Sequence, residues 1–91
     1  MNPPEKIDDA LRQQIEKLSK ATEITCLVYP ANKMTDLKSL MERKEKQGFI
    51  EYNELYLAGC FAVRTSVQLV FELADEDVVG RIAANPTFKT N

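Results

Sequence analysis

The chain has 91 residues, 44% hydrophobic and 29% charged, enough for one folded domain with a modest core and too apolar for a disordered segment. Its net charge is −2, with twelve Lys and Arg interleaved among fourteen Asp and Glu, so it lacks the basic stripe that nucleic acid would need. Its apolar runs fall far short of the roughly 20 residues that span a bilayer, and Met1-Asn2-Pro3-Pro4-Glu5 has neither the basic nor the apolar part of a secretory signal.

Pro3 and Pro4 start the chain stiffly, and Asp8-Asp9 places negative charge where the amide end of a helix favours it. Ile7, Leu11, Ile15 and Leu18 follow at spacings of four, four and three and predict one apolar stripe on a helix that ends near Ala21. Residues 1–22 are therefore expected to form an N-terminal helical extension.

Residues 23–29 are rich in strand formers, with Ile24, Cys26 and Val28 on one side and Thr25, Leu27 and Tyr29 on the other. Pro30 ends the strand, since it has no donor for a ladder. Thr35 is a predicted N-cap for a helix that turns Leu37, Leu40 and Met41 inward and the run Glu42 to Lys46 toward water. Gly48 stands where a left-handed C-cap is wanted, and residues 49–57 read as a strand. Gly59 turns the chain into a strand over residues 60–65. Ser66 caps a second helix whose Leu69, Val70, Leu73 and Ala74 share a face. Residues 78–83 are expected to form the last strand, weakened by Gly80, which has no side chain to pack.

Strand, helix, strand, strand, helix, strand predicts an α+β, ferredoxin-like βαββαβ fold: a four-stranded antiparallel sheet with two helices on one face, plus the extra N-terminal helix. The fold alone specifies no function.

Chemistry within the chain is sparse. With no histidine, no Ser-His or Cys-His pair can form, and no catalytic role is expected. Two cysteines, Cys26 and Cys60, fall within predicted strands and are expected as buried thiols; a disulfide requires neighbouring strands in matching register. Neither a metal nor another cofactor is expected, because a structural zinc site takes four Cys or His ligands and Asp75-Glu76-Asp77 lacks the glycine and terminal glutamate of a calcium loop. The loop after the first strand, Pro30-Ala31-Asn32-Lys33-Met34, offers no arginine or glycine for phosphate. The third strand has one aromatic and one cation, against an RNA platform.

The second half narrows the field. Leu57-Ala58-Gly59-Cys60-Phe61-Ala62-Val63-Arg64 leads into Leu69-Val70-Phe71-Glu72-Leu73-Ala74 and then Asp77-Val78-Val79-Gly80-Arg81-Ile82-Ala83-Ala84-Asn85. Together with the order of elements, and with Lys6-Ile7-Asp8-Asp9-Ala10-Leu11 ahead of the first strand, this resembles the propeptide and inhibitor domain of subtilisin-like serine proteases over residues 23–89.

The resemblance implies that residues 23–91 are a propeptide or inhibitor domain that assists folding of the protease and inhibits it, in cis or in trans. Such a domain lays the open face of its sheet on two surface helices of the protease and sends its extended C-terminus into the active-site cleft. Tyr52, Glu54 and Tyr56 alternate onto one side of their strand and, on the open face, would serve as interface residues. The tail, residues 84–91, holds Phe88, Lys89, Thr90 and Asn91. These four are expected in the cleft, with Phe88 as the apolar anchor four positions from a bond cleaved after Asn91.

The alternative is a ferredoxin-like interaction or regulatory module that pairs with itself and binds a small ligand at the seam. A glycine-rich loop after the first strand would mark it, and residues 30–34 supply none. A monomer is expected of the propeptide.

Overall fold

The computed structural model describes residues 3–85. A short 3₁₀ turn, Pro3–Lys6, leads to α1 (Asp9–Ile15), β1 (Glu23–Pro30), α2 (Met34–Lys46), β2 (Glu51–Leu55), β3 (Cys60–Ser66), α3 (Val67–Ala74) and β4 (Val79–Ala84). The strands form one sheet in the order β2-β3-β1-β4, and every neighbouring pair is antiparallel. This is the ferredoxin-like α+β fold with an additional N-terminal helix.

Strand alternation and helix stripes meet in a single core. Cys26 and Val28 of β1, Phe61 and Val63 of β3 and Ile82 of β4 point to the helix side and are buried against Leu37, Leu40 and Met41 of α2 and Val70, Leu73 and Ala74 of α3. Ile7, Leu11 and Ile15 belong to this same core, so the N-terminal extension is packed into the domain. Its helix is shorter than its stripe suggests. It stops at Ile15, the chain turns as the Leu18 N–H donates to the Ile15 carbonyl, and Leu18 is left exposed.

The ends of the other helices illustrate capping and its absence. Ser66 caps α3 through its hydroxyl, which accepts from the Leu69 N–H at 3.3 Å. α2 begins one residue before the expected cap at Thr35: Lys33 occupies the N-cap position and makes no side-chain cap bond. Gly48 and Gly59 have φ of +82° and +69°, the left-handed conformation in which glycine carries no Cβ penalty.

Gly80 corrects an expectation. A Cβ there would lie 2.8 Å from both the Ala31 Cα and the Pro30 carbonyl oxygen, because the pairing of β1 with β4 shifts register between Tyr29 and Pro30. A larger residue would not pack better at this position. Glycine is what allows the two backbones to meet, and the Ala31 N–H donates to the Val78 carbonyl at 2.9 Å beside it.

Candidate functional site

The helices cover one face of the sheet, and among the described residues nothing covers the other. Register determines its composition. Asn53 of β2 pairs with Ala62 of β3, Ala62 with Leu27 of β1, and Leu27 with Ala83 of β4, so these four residues form one row across the open face. Toward one end lie Glu51, Arg64 and Thr25. Toward the other lie Leu55, Cys60, Tyr29 and Arg81.

Both cations of this face are held by carboxylates. The Arg64 guanidinium lies 3.1 Å from the Glu23 carboxylate and 3.8 Å from that of Glu51. Arg81 makes a two-pronged contact with Asp8, Nε donating at 2.9 Å and Nη2 at 2.6 Å, and its guanidinium lies over the Tyr29 ring, 5.0 Å from the centroid. The Arg81 hydrogen bond holds the Asp8 carboxyl below its ordinary range. The surface left between these charged ends is low and partly apolar: Leu27 stands between two alanines, with a shallow hollow bordered by Thr25, Asn53, Ala62 and Arg64.

The two thiols are free and lie on opposite faces. Cys26 faces the helices opposite Val63, whereas Cys60 is one residue from inward-pointing Phe61 and so lies on the open face beside Tyr29. That register does not join them. Burial raises both thiols, Cys26 to about 12, so neither is a ready nucleophile. Among the described residues no three Cys, Asp or Glu side chains come together to hold a metal ion.

The expected interface of Tyr52, Glu54 and Tyr56 is corrected. Tyr52 pairs with Val63 and Glu54 with Phe61, and because those two core residues are fully buried, the register carries Tyr52 and Glu54 to the helix side with them. Tyr52 packs edge-on against Phe61, with ring centroids 5.6 Å apart. The Glu54 carboxylate lies 3.7 Å from Lys38 of α2. Tyr56 is outside the strand, in the β2–β3 turn, with Leu57 next to it; both are almost wholly exposed. Glu51, Asn53 and Leu55, from the opposite parity, are the β2 residues that reach the open face.

Phe88, Lys89, Thr90 and Asn91 lie outside the described residues. The chain reaches them from Ala84, the last residue of β4, which pairs with Cys26 in the middle of the sheet. Sequence reasoning missed the Asp8–Arg81 pair, which joins positions 73 residues apart and leaves no local pattern. It could have found the Leu27 row, since the same alternation that buries Cys26 and Val28 turns Leu27 outward.

No protein-family model, curated protein or solved structure matches this chain.

Proposed function

We propose that this chain is a propeptide or inhibitor domain of a subtilisin-like serine protease, a non-catalytic partner that docks its open sheet face on the protease and delivers the segment after Asn85 to the active-site cleft. The uncovered face is the observation that carries this reading. A two-layer α+β domain has one sheet face to spare, and this one is low, partly apolar and charge-balanced.

Its relief suits a pair of helices. Ala62 and Ala83 are separated by β1 alone, and with strands about 4.8 Å apart the two tracks are about 9.6 Å apart, within the roughly 8–10 Å spacing of packed helices. Helices seated over β3 and β4 would leave Leu27 in the crevice between them. Phe88 to Asn91 then act as the cleft-binding residues by strand addition, with Phe88 as the apolar anchor, as the resemblance implies.

The test is inhibition of subtilisin-like proteases, the native one included, by the full chain, by a version ending at Asn85, and by Leu27→Glu. Truncation is expected to remove most of the inhibition. Leu27→Glu is expected to weaken it tenfold or more by placing a charge in the apolar centre of the contact. A folded wild-type chain that inhibits none of them refutes the proposal, and a stable dimer in gel filtration would then favour the self-associating module.

A further inference from the structure

The N-terminal segment runs along the outer edge of the strand from which the tail departs. Ile7 forms a parallel bridge with Ile82, and the Asp8 N–H donates to the Ile82 carbonyl at 2.8 Å. The Asp8 carboxylate grips Arg81 from the side, while the Lys6 ammonium donates to the Glu76 carbonyl at 3.0 Å, just ahead of β4. Among the described residues β4 is an edge strand whose only strand neighbour is β1. Residues 6–8 hold its other side, two residues before the strand ends.

We infer that residues 6–8 are a strap that pins β4 from its outer edge and thereby fixes the root of the C-terminal tail, making Asp8 and Arg81 positioning residues for inhibition. The link to inhibition rests on the function proposed above. Its physical basis is preorganisation: an edge strand bonded on one side frays at its end, and a tail leaving a frayed strand must be ordered when it binds. A strand bonded on both sides presents the tail from a fixed point. The ion pair adds direction, because a two-pronged guanidinium–carboxylate contact fixes an angle as well as a distance. Arg81 passes that constraint to β1 through the Tyr29 ring.

Asp8 allows the two bonds of the strap to be separated. Its φ of −57° lies within the range proline imposes, its side chain makes no helix-cap bond, and Ile7 before it is paired with a strand, the extended state a residue before proline prefers. Asp8→Asn removes the charge and keeps the N–H. Asp8→Pro removes both without demanding a new backbone conformation.

The experiment measures amide hydrogen exchange and protease inhibition on the full chain, wild type against Asp8→Asn, Arg81→Gln, the double variant Asp8→Asn/Arg81→Gln and Asp8→Pro. The residue-8 amide is expected to be protected in the wild type. Loss of the ion pair is expected to speed exchange at residue 8 and over β4 about two- to fivefold, the scale of a partly exposed ion pair, with the double variant adding nothing to either single one. Asp8→Pro is expected to open β4 further and to weaken inhibition about three- to tenfold, the scale of one added hydrogen bond.

An unprotected residue-8 amide in the wild type, or β4 exchange indifferent to Asp8→Pro, overturns the strap. Faster β4 exchange with unchanged inhibition overturns its link to the tail. A wild-type chain that inhibits no protease instead refutes the function proposed above, while exchange alone still decides the strap. Should Asp8→Pro fail to fold, Asp8→Asn and Arg81→Gln carry the same comparison.

Discussion

Replacing Gly80 by alanine puts a methyl carbon into space that the β1 backbone already fills. The new atom would stand 2.8 Å from the Ala31 Cα and from the Pro30 carbonyl oxygen, and since both are main-chain atoms, relief requires β1 and β4 to separate. Overpacking of this kind costs about 1–3 kcal/mol, and separation also strains the Ala31–Val78 hydrogen bond, worth about 1 kcal/mol. Against this stands a gain of about 0.4–1 kcal/mol from the smaller conformational freedom of the unfolded chain. The balance is a loss of about 1–3 kcal/mol from a total stability of about 5–14 kcal/mol for a domain this size. Urea unfolding followed by circular dichroism should show a lower midpoint with unchanged slope, and the melting temperature should fall by about 5–20 °C. Strand propensity alone predicts the opposite sign, because glycine ordinarily weakens a strand. An equal or higher midpoint for Gly80→Ala would therefore refute the close-approach argument.

Other outcomes follow from single contacts. Ser66→Ala should destabilise the domain by about 1 kcal/mol in the same assay, through loss of the Leu69 N–H cap. Asp8 is held below its ordinary value of 3.8 by Arg81; a depressed carboxylate adds stability that is present at neutral pH and lost as pH falls through its folded value. Wild type should accordingly be more stable than Asp8→Asn at pH 7, with the difference shrinking as pH falls below the ordinary carboxylate value and gone once Asp8 is protonated in the folded state, as read in parallel unfolding curves. Cys26 and Cys60 are both buried with raised pKa values, so a thiol reagent at pH 8 should label neither in the native state and both after denaturation, as read by mass spectrometry.

The sequence made the layer architecture legible because each element announces itself locally. Ser66 ahead of Leu69, Val70, Leu73 and Ala74 defines α3, and the alternation of Ile24, Cys26 and Val28 defines the buried side of β1. The parity of β2 was not legible in the same way. Tyr52-Asn53-Glu54-Leu55 has a large apolar side chain on each parity, and the decision comes from pairing with Phe61 and Val63 of β3, a relation between segments. Gly80 was misread for a related reason: the register shift that brings Pro30 and Ala31 against it belongs to two strands at once. Leu18 extended the stripe of α1 by spacing, yet the helix ends at Ile15. The candidate site was half legible, its open face implied by topology and its occupants assigned to the wrong parity.

The strap also bears on the order in which the domain forms. Its contacts join Asp8 to Arg81 across 73 positions, and β1 finds both of its strand neighbours later in the chain. The first part of the domain to leave a ribosome must wait for nearly the last before either is fully bonded. Local contacts within α2 and α3 can form early, but closing so long a loop is an entropic cost met only near the end, the signature of slow folding in high-contact-order domains. Until β4 arrives, Ile7 and Leu11 lack the Ile82 side of their core, so the unfinished chain leaves apolar surface uncovered during synthesis.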